Sequence, residues 1–327
     1  MEGNSGPLYT PLCQILGIKY PIIQGAMGMV TDARFVAAVS NAGALGVLAS
    51  VNVPLNQLKD EIARVRDLTD KPFAVNLVPL GATFRQRAEI VAQSGVKIVT
   101  TGRGDPRQSV VSLLKSFEVK VLPVVPTVRH AKRLEEEGAD IIIASGMEGG
   151  GHVGKICTLP LIPQIVDAVK VPVVAAGGFG DGRGLLAALV LGACGIQMGT
   201  RFIATEESTA HPRFKQLLIA ATEEDTLVTS RFTGKTVRVL KNRLAEYFYR
   251  LETEGEKAVE LEELSQRGWW KKVQEGNIDE GMLAAGQIAG LIKEIEPVES
   301  LIQCVIKQAT AICAHLGNIG GILPQRH

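Results

Sequence analysis

The residues whose types and spacing most clearly suggest a chemical role form one short run, Gly149-Gly150-Gly151-His152. An imidazole, whose ordinary pKa is ~6.5, can give or take a proton near neutral pH. The three glycines before it leave the backbone free to approach a ligand. A lone histidine in a polar loop usually has no function, but this setting favours a catalytic role for His152. Glu148, just before the run, either orients the histidine, binds a cation or is an exposed loop carboxylate.

Other glycines and small polar residues follow apolar runs elsewhere in the chain, at Gly25-Ala26-Met27, Asn76, Ser145-Gly146, Gly177-Gly178 and Gln197-Met198-Gly199-Thr200. Taken singly, a glycine after a strand usually makes only a turn. Bare backbone N–H groups, helped by a hydroxyl such as that of Thr200, can however meet a phosphate without an intervening side chain. Their joint placement predicts a phosphate-bearing ligand.

These sites are positioned by a regular alternation of short apolar runs and amphipathic stretches. Eight runs are near-continuously apolar, as expected of strands buried on both faces of a parallel sheet. They are Pro21–Met27, Leu45–Ser50, Phe73–Pro79, Val96–Gly102, Lys120–Val125, Asp140–Gly146, Pro172–Gly178 and Gly195–Phe202. The stretches between them predict helices at Asp32–Ala42, Leu55–Leu68, Thr127–Glu137, Leu159–Val169 and Leu185–Leu191.

Eight strands alternating with helices form either a closed (β/α)8 TIM barrel or an open, doubly wound sheet. The count of eight and the glycines at several strand ends favour the barrel, whose C-terminal mouth would gather the sites above. The pattern becomes more polar and less strand-like after about residue 201. We expect the barrel over residues 1–222, a smaller, mainly helical covering region over 223–290, and C-terminal helices over 291–327 that pack back on the barrel.

The composition argues against several classes of protein. Of the 327 residues, 46% are hydrophobic and 21% charged, and the formal net charge of +1 gives no basic excess for nucleic acid. No apolar run approaches the roughly 18 residues that a membrane span needs. The N-terminal residues lack the features of a signal peptide, so the expected location is the cytoplasm. Five scattered cysteines without a CxxC pair favour free thiols over disulfides or a metal site.

The segments PIIQGAMG, MEGGGHVGK, AAGGFGDGRG and IQMGTRF together resemble the nitronate monooxygenase superfamily, and the similarity runs from Thr10 to about Lys293. That superfamily comprises FMN-binding barrel enzymes: nitronate monooxygenases (formerly 2-nitropropane dioxygenases), type II enoyl-ACP reductases and NAD(P)H:quinone reductases. TVRVLKNRL and EGNIDEGMLAAGQIAGLI look most like the enoyl-ACP reductase branch. GFGDGRGLLAALVLGA reads equally like the nitronate monooxygenases or the quinone reductases.

The resemblance implies a role toward FMN for each strand-end residue. The flavin ring would lie along the backbone of Gly25, Ala26 and Met27. The ring edge and ribityl chain would lie near Asn76, Ser145 and Gly146. The 5′-phosphate would be held by Gly177, Gly178, Gly199 and Thr200, with Gln197 nearby. His152 matches the active-site histidine of the family, and no metal ligands are implied.

Three reactions follow from the resemblance. The first is an NAD(P)H-dependent reduction in which hydride passes through flavin N5 to a 2-enoyl thioester on acyl carrier protein, with His152 handling the proton. The alternatives are a nitronate monooxygenase, which uses O2 and no nicotinamide, and an NAD(P)H:quinone reductase; a non-enzymatic flavin sensor is the remaining one. An acyl carrier would need a basic rim, which Arg238, Lys241 and Arg243 could supply unless they form only a solvated helix face. The expected partner is a small-molecule or acyl-carrier-bound substrate, and a homodimer is possible. We expect the covering region to determine which substrate is used.

Overall fold

The computed structural model describes residues 8–28, 30–79, 81–102, 111–231, 236–254 and 273–318. At its centre is a barrel with one parallel strand from each of the eight predicted runs. Its strands are β1 (Ile22–Gln24), β2 (Gly46–Ala49), β3 (Phe73–Leu77), β4 (Ile98–Thr101), β5 (Lys120–Val125), β6 (Ile142–Ser145), β8 (Val173–Ala176) and β9 (Ile196–Met198), with the short β7 (Gly151–His152) lying outside it. They pair in the order β1-β9-β8-β6-β5-β4-β3-β2.

The ring is closed between the first strand and the second. Gln24, at the end of β1, is fully buried. Its side-chain oxygen accepts a hydrogen bond from Val47 N at 2.9 Å, and its backbone N–H donates to Leu45 O at 2.9 Å. An isolated parallel bridge also joins Ile23 to Leu45. The TIM barrel is therefore confirmed, and the open sheet that the pattern also allowed is wrong.

Helices cover the outside of the barrel between the strands. In chain order they are α1 (Pro11–Leu16), α2 (Ala33–Asn41), α3 (Leu58–Leu68), α4 (Phe84–Gln93), α5 (Val111–Lys115), α6 (Val128–Glu136), α7 (Thr158–Val166) and α8 (Gly182–Val190). Side-chain caps start several of them: Asp32 accepts from Phe35 N at 2.8 Å, for example. The five helices predicted between strands are confirmed, whereas α4 and α5 were not predicted. In α4 the buried positions are separated by charged residues, and α5 has only five residues.

Apolar side chains fill two layers. One buried cluster takes a residue from almost every barrel strand and three from α1, which plugs the end of the barrel opposite the mouth. Two larger clusters occupy the layer between strands and helices. A rigid barrel of this kind holds the strand ends, and so the residues that follow them, at fixed positions.

The covering region contains a hairpin as well as a helix. After α9 (Thr200–Ile203) and α10 (Pro212–Ala220), the chain forms β10 (Thr226–Thr229), β11 (Val237–Leu240) and α11 (Arg243–Glu254). Strand β11 pairs antiparallel with both β10 and β7, which gives a second, three-stranded sheet. Alternating β-branched residues in TLVT and VRVL favour strands, but the polar composition of the region obscures them. Residues 232–235 and 255–272 of this region lie outside the described part.

The C-terminal segment packs on the barrel through one long helix, α12 (Val298–Asn318), where we expected more than one. Gly182 allows α8 and α12 to approach closely, because a β-carbon there would lie 2.5 Å from Val305 O and Ala309 N. Gly182 N donates to Gln308 Oε1 at 2.8 Å across the same contact. Within the described ranges, no helix is both long and apolar enough to cross a bilayer.

Candidate active site

The ends of β1 and β9 lie side by side at the mouth of the barrel. Gly25 N donates to Met198 O at 2.8 Å, and a β-carbon on Gly25 would lie 3.3 Å from Gln197 Cγ. A β-carbon on Gly199 would lie 3.7 Å from Met27 Sδ. The structure thus brings together Gly25, Met27, Gln197 and Gly199, four of the residues predicted to hold the cofactor.

The ends of β6 and β8 meet at Thr158, the first residue of α7. Thr158 Oγ1 lies 2.8 Å from Gly177 O, and a β-carbon on Gly146 would collide with the same hydroxyl. That β-carbon would also lie 2.5 Å from Thr158 N, and one on Gly177 would lie 2.8 Å from Gly146 O. Only glycines allow the two strand ends and α7 to come this close.

Gly177 and Gly178 expose backbone amides at the mouth. Their φ angles are +90° and +86°, a conformation that side chains rarely allow. Within the described part of the chain these two amides donate to no other group. Both amides are therefore available to an anion, and no side chain at either position intervenes.

Asn76 and Thr200 are each tied to a neighbouring element. The Asn76 amide Nδ2 donates to Thr100 Oγ1 at 2.9 Å and lies 3.3 Å from Thr100 O, which orients its Oδ1 as the remaining acceptor. Thr200 is buried at the start of α9, where its hydroxyl oxygen accepts from Gly286 N at 2.8 Å. The hydroxyl proton of Thr200 is still available as a donor to a ligand.

His152 is exposed and forms part of β7, the edge strand of the three-stranded sheet. It stands opposite Val237 of β11 in the antiparallel ladder. The next residue continues the attachment, since Val153 N donates to Thr236 O at 3.0 Å and Thr236 Oγ1 donates to Val153 O at 2.9 Å. The imidazole is therefore carried by the covering region as much as by the barrel.

The segment that leads to the histidine, residues 147–153 or the His152 loop, is also held by residues 285–287. A β-carbon on Gly150 would lie 2.7 Å from Ala285 C, and one on Gly286 would lie 3.0 Å from Gly150 N. Gln287 N donates to Glu148 O at 2.9 Å. The two backbone segments thus pack directly on each other at Gly150 and Gly286.

Glu148 caps a helix, so the exposed loop carboxylate considered for it is wrong. Its carboxylate accepts hydrogen bonds from Thr158 N at 2.9 and 3.0 Å and from Thr158 Oγ1 at 2.8 Å. A carboxylate at the N-terminus of α7 satisfies an amide that the helix leaves free. The carboxylate is half-buried and anchors the His152 loop to α7.

The three cationic residues proposed as a basic rim do not share one surface. Arg238 is 5% exposed on strand β11, and it donates to Met147 O and Thr226 Oγ1, each at 3.0 Å. Burial lowers the pKa of Arg238, and the nearby negative charge of Glu148 opposes that shift. Lys241 and Arg243 are exposed. The prediction of a solvated helix face is wrong for Arg238, because this residue lies in strand β11 and its side chain contacts the His152 loop.

An open groove of about 560 Å³ runs along the hairpin and α11. Its lining includes Arg231, Arg238 and Lys241 together with Tyr249 and Glu246. The positive charges are largely balanced, because Arg231 pairs with Glu252 at 3.4 Å and Lys241 lies near Asp225. The groove is therefore polar rather than strongly basic.

These strand ends suit a phosphate-bearing ligand such as a flavin nucleotide. Backbone without side chains is present at Gly25, Gly177 and Gly178, and the free amides of Gly177 and Gly178 match a phosphate. Among the described residues, no group of three His, Cys, Asp or Glu side chains is arranged to hold a metal ion. All five cysteines are free.

Sequence reasoning missed two residues that shape this site, Thr158 and Gly286. Gly286 lies in the segment AAGQIAG, which was used only as a mark of resemblance. The density of glycine and alanine in that segment was a signal of close backbone packing. Thr158 follows Cys157 without a distinctive pattern, and only the fold places it between β6 and β8.

A family model described as nitronate monooxygenase matches residues 9–82 and 78–308 of the chain. One curated relative is the (3aS,4S,5R,7aS)-5-hydroxy-7a-methyl-1-oxo-octahydro-1H-indene-4-carboxyl-CoA dehydrogenase of Mycobacterium tuberculosis, which is 35% identical over 345 residues, 92% of this chain and 96% of the relative. Another is a probable nitronate monooxygenase of Staphylococcus saprophyticus, 34% identical over 351 residues, 93% of this chain and 99% of the relative.

Two solved structures share the whole architecture. FabK from Thermotoga maritima superposes with a TM-score of 0.91 and 36% identity over 95% of this chain and 99% of its own. The nitroalkane oxidase from Streptomyces ansochromogenes superposes with a TM-score of 0.81 and 28% identity over 91% of this chain and 98% of its own.

Proposed function

Because the chain belongs to the nitronate monooxygenase family, we propose that this flavin-dependent oxidoreductase uses FMN and NAD(P)H to reduce 2-enoyl thioesters. One observation carries the choice of reaction: the superposition on FabK, an enoyl-ACP reductase II, has a TM-score of 0.91 and 36% identity, against 0.81 and 28% for the nitroalkane oxidase. The strand that pairs with β7 at His152 is β11 of the covering region.

The thioester class of substrate has a second support. The dehydrogenase relative from Mycobacterium tuberculosis carries a CoA thioester in the name of its substrate. A thioester on CoA or acyl carrier protein brings a long, polar handle, and the open groove beside the sheet of His152 offers a path for one. A nitronate has no such handle.

The residues of this chain would divide the work as follows. The amides of Gly177 and Gly178 would hold the FMN phosphate, helped by Gly199 and Thr200, with Gln197 nearby. Gly25, Ala26 and Met27 would line the ring, and Asn76 Oδ1, Ser145 and Gly146 would bind its edge and ribityl chain. When bound, the flavin supplies a two-electron carrier between nicotinamide and substrate.

His152 would handle the proton of the reduction. The imidazole is exposed on an edge strand whose backbone is fixed by β11, so the position of its backbone is set by that sheet. It would donate a hydrogen bond to the thioester carbonyl oxygen as negative charge develops there, and then deliver a proton.

Nitronate oxidation is the second candidate, favoured by the 34% identity to a probable nitronate monooxygenase over 99% of that relative. It needs the same flavin and the same histidine, which would then hydrogen-bond the nitronate anion. No relative described above carries a quinone reductase name, so that alternative has no comparable support.

A rapid-mixing experiment separates the candidates. The yellow protein is mixed anaerobically with NADH or NADPH, and the bleached flavin is then offered crotonyl-CoA or a nitronate. Enoyl-thioester reduction predicts bleaching by one nicotinamide and fast reoxidation by crotonyl-CoA. Absence of bleaching by both nicotinamides would refute the proposal, and turnover of a nitronate with O2 alone would support the second candidate. A protein that takes up no FMN would refute both.

A further inference from the structure

Thr158 joins three loops that sequence reasoning treated separately. Its hydroxyl lies 2.8 Å from Gly177 O, in the loop after β8, and 2.8 Å from the Glu148 carboxylate, in the His152 loop. Its backbone N–H donates to the same carboxylate at 2.9 Å. It also fills the space left by the missing side chain of Gly146, at the end of β6. The residue is 7% exposed.

The hydroxyl is more than packing, because the two groups around it accept hydrogen bonds only. A carbonyl and a carboxylate repel each other unless a donor lies between them, and a threonine hydroxyl supplies one proton to either. Without that hydroxyl, Gly177 O loses the donor at 2.8 Å, and the Glu148 carboxylate keeps the hydrogen bonds from the Thr158 amide. Gly177 O belongs to the same peptide plane as the Gly178 amide, so the orientation of that amide depends on one side-chain oxygen.

We propose that Thr158 is a positioning residue for the flavin site. By holding Gly177 O it orients the peptide plane that carries the Gly178 amide, and through Glu148 it fixes the base of the loop that carries His152. The inference rests on the proposed binding of FMN at these strand ends. It adds a residue outside the mouth that acts on the cofactor and on the histidine at once.

The test compares Thr158→Val with Thr158→Ser in the full-length protein. Valine keeps the branched shape and removes the hydroxyl, whereas serine keeps the hydroxyl. A hydrogen bond to a charged group contributes about 1.5–3 kcal/mol, which corresponds to roughly 10- to 150-fold in an equilibrium constant. We expect Thr158→Val to weaken FMN binding about tenfold or more, shift the flavin absorption bands and lower kcat. Serine should restore affinity, spectrum and kcat to within about threefold of wild type.

Thr69→Val is the matched control. Thr69 is also buried, and its hydroxyl joins Asn41 Oδ1 to Lys71 N at the opposite end of the barrel. This variant should lose stability but keep the FMN affinity, the spectrum and the kcat of wild type. A general loss of stability would move both valine variants alike, whereas a positioning role moves only Thr158→Val.

Each outcome decides between the two proposals. Wild type that binds FMN, with Thr158→Val unchanged in affinity, spectrum and kcat, would overturn this inference alone. Wild type that binds no FMN would overturn the proposed function and this inference with it. If Thr158→Val does not fold, Glu148→Gln removes the charged acceptor from the other side, and an unchanged FMN affinity and kcat there would equally overturn the role of this contact.

Discussion

A single methyl group at position 150 should disable the enzyme while the same group at position 149 should not. Gly149 and Gly150 are adjacent in the His152 loop, and neither has a positive φ angle. A β-carbon on Gly150 would lie 2.7 and 2.8 Å from Ala285 C and Cα and 2.8 Å from Gly286 N. A β-carbon on Gly149 would have no contact shorter than 3.5 Å. The pair Gly150→Ala and Gly149→Ala therefore isolates the contact between the His152 loop and residues 285–286.

The size of the effect follows from what must move. The atoms that clash with the new methyl are backbone, so no side chain can rotate away, and overpacking of this kind costs about 1–3 kcal/mol. Relief requires a shift of the loop by a few tenths of an ångström to about 1 Å, and a 1 Å misplacement of a catalytic group can lower turnover about 100-fold. We expect Gly150→Ala to lose about 2 kcal/mol of stability and most of its turnover.

Urea unfolding and steady-state kinetics with NAD(P)H and crotonyl-CoA measure both effects. Gly149→Ala should stay within about 0.5 kcal/mol of wild type, because a β-carbon there makes only ordinary van der Waals contacts. Its kcat should change little. The reasoning is refuted if Gly150→Ala retains both wild-type stability and turnover, or if the two variants are damaged equally.

Three further predictions can be checked with standard assays. His152→Ala should retain FMN, measured by absorbance, but lose most turnover. The control His315→Ala, at an exposed position of α12, should keep wild-type turnover. Equal turnover in wild type and both variants would remove His152 from the mechanism. For Asp181, partial burial favours a raised pKa, but hydrogen bonds from Arg183 and the amide of Gly184 outweigh it and lower the pKa. The ionised Asp181 side chain therefore stabilises the fold above the unfolded pKa of about 4, and this contribution is lost as the pH falls below that value. Between about pH 5 and pH 3, the free energy of unfolding measured in urea should fall less steeply for Asp181→Asn than for wild type. Parallel curves for the two proteins would contradict this prediction. A thiol reagent should quickly label the three exposed cysteines, Cys157, Cys304 and Cys313. The buried Cys13 and Cys194 should react only after unfolding, and burial also raises the pKa of Cys194 to about 12. Fast labelling of all five would refute the assigned burial.

The barrel could be predicted from sequence because its strands are buried on both faces. Runs such as Val173–Ala176 carry no polar residue, and a continuous apolar run of that length has few other places in a fold. Helix α4 could not be predicted in the same way, because Phe84, Ala88 and Val91 are separated by charged residues. The β10–β11 hairpin escaped because its loop and neighbours are polar.

The candidate site was predictable where backbone freedom left a mark in the sequence. The left-handed φ angles at Gly177 and Gly178 favour glycine, so two successive glycines in the sequence already indicate this backbone conformation. Glu148 and Arg238 carry no such mark, since a carboxylate or guanidinium suits a surface, a cap or a site equally well. Their hydrogen-bond partners come from distant parts of the chain and are known only once the fold is known.

The pairing of β7 with β11 has a consequence for folding of the protein during its synthesis. A ribosome completes all eight barrel strands, and the glycines after them, before it adds the residues that hold His152. Domains commonly begin to fold during synthesis, from the N-terminal end. A nascent barrel could thus be compact while its histidine still lacked both β11 and Gly286, and the contacts that hold the His152 loop would be complete only after residues 285–287 had been added.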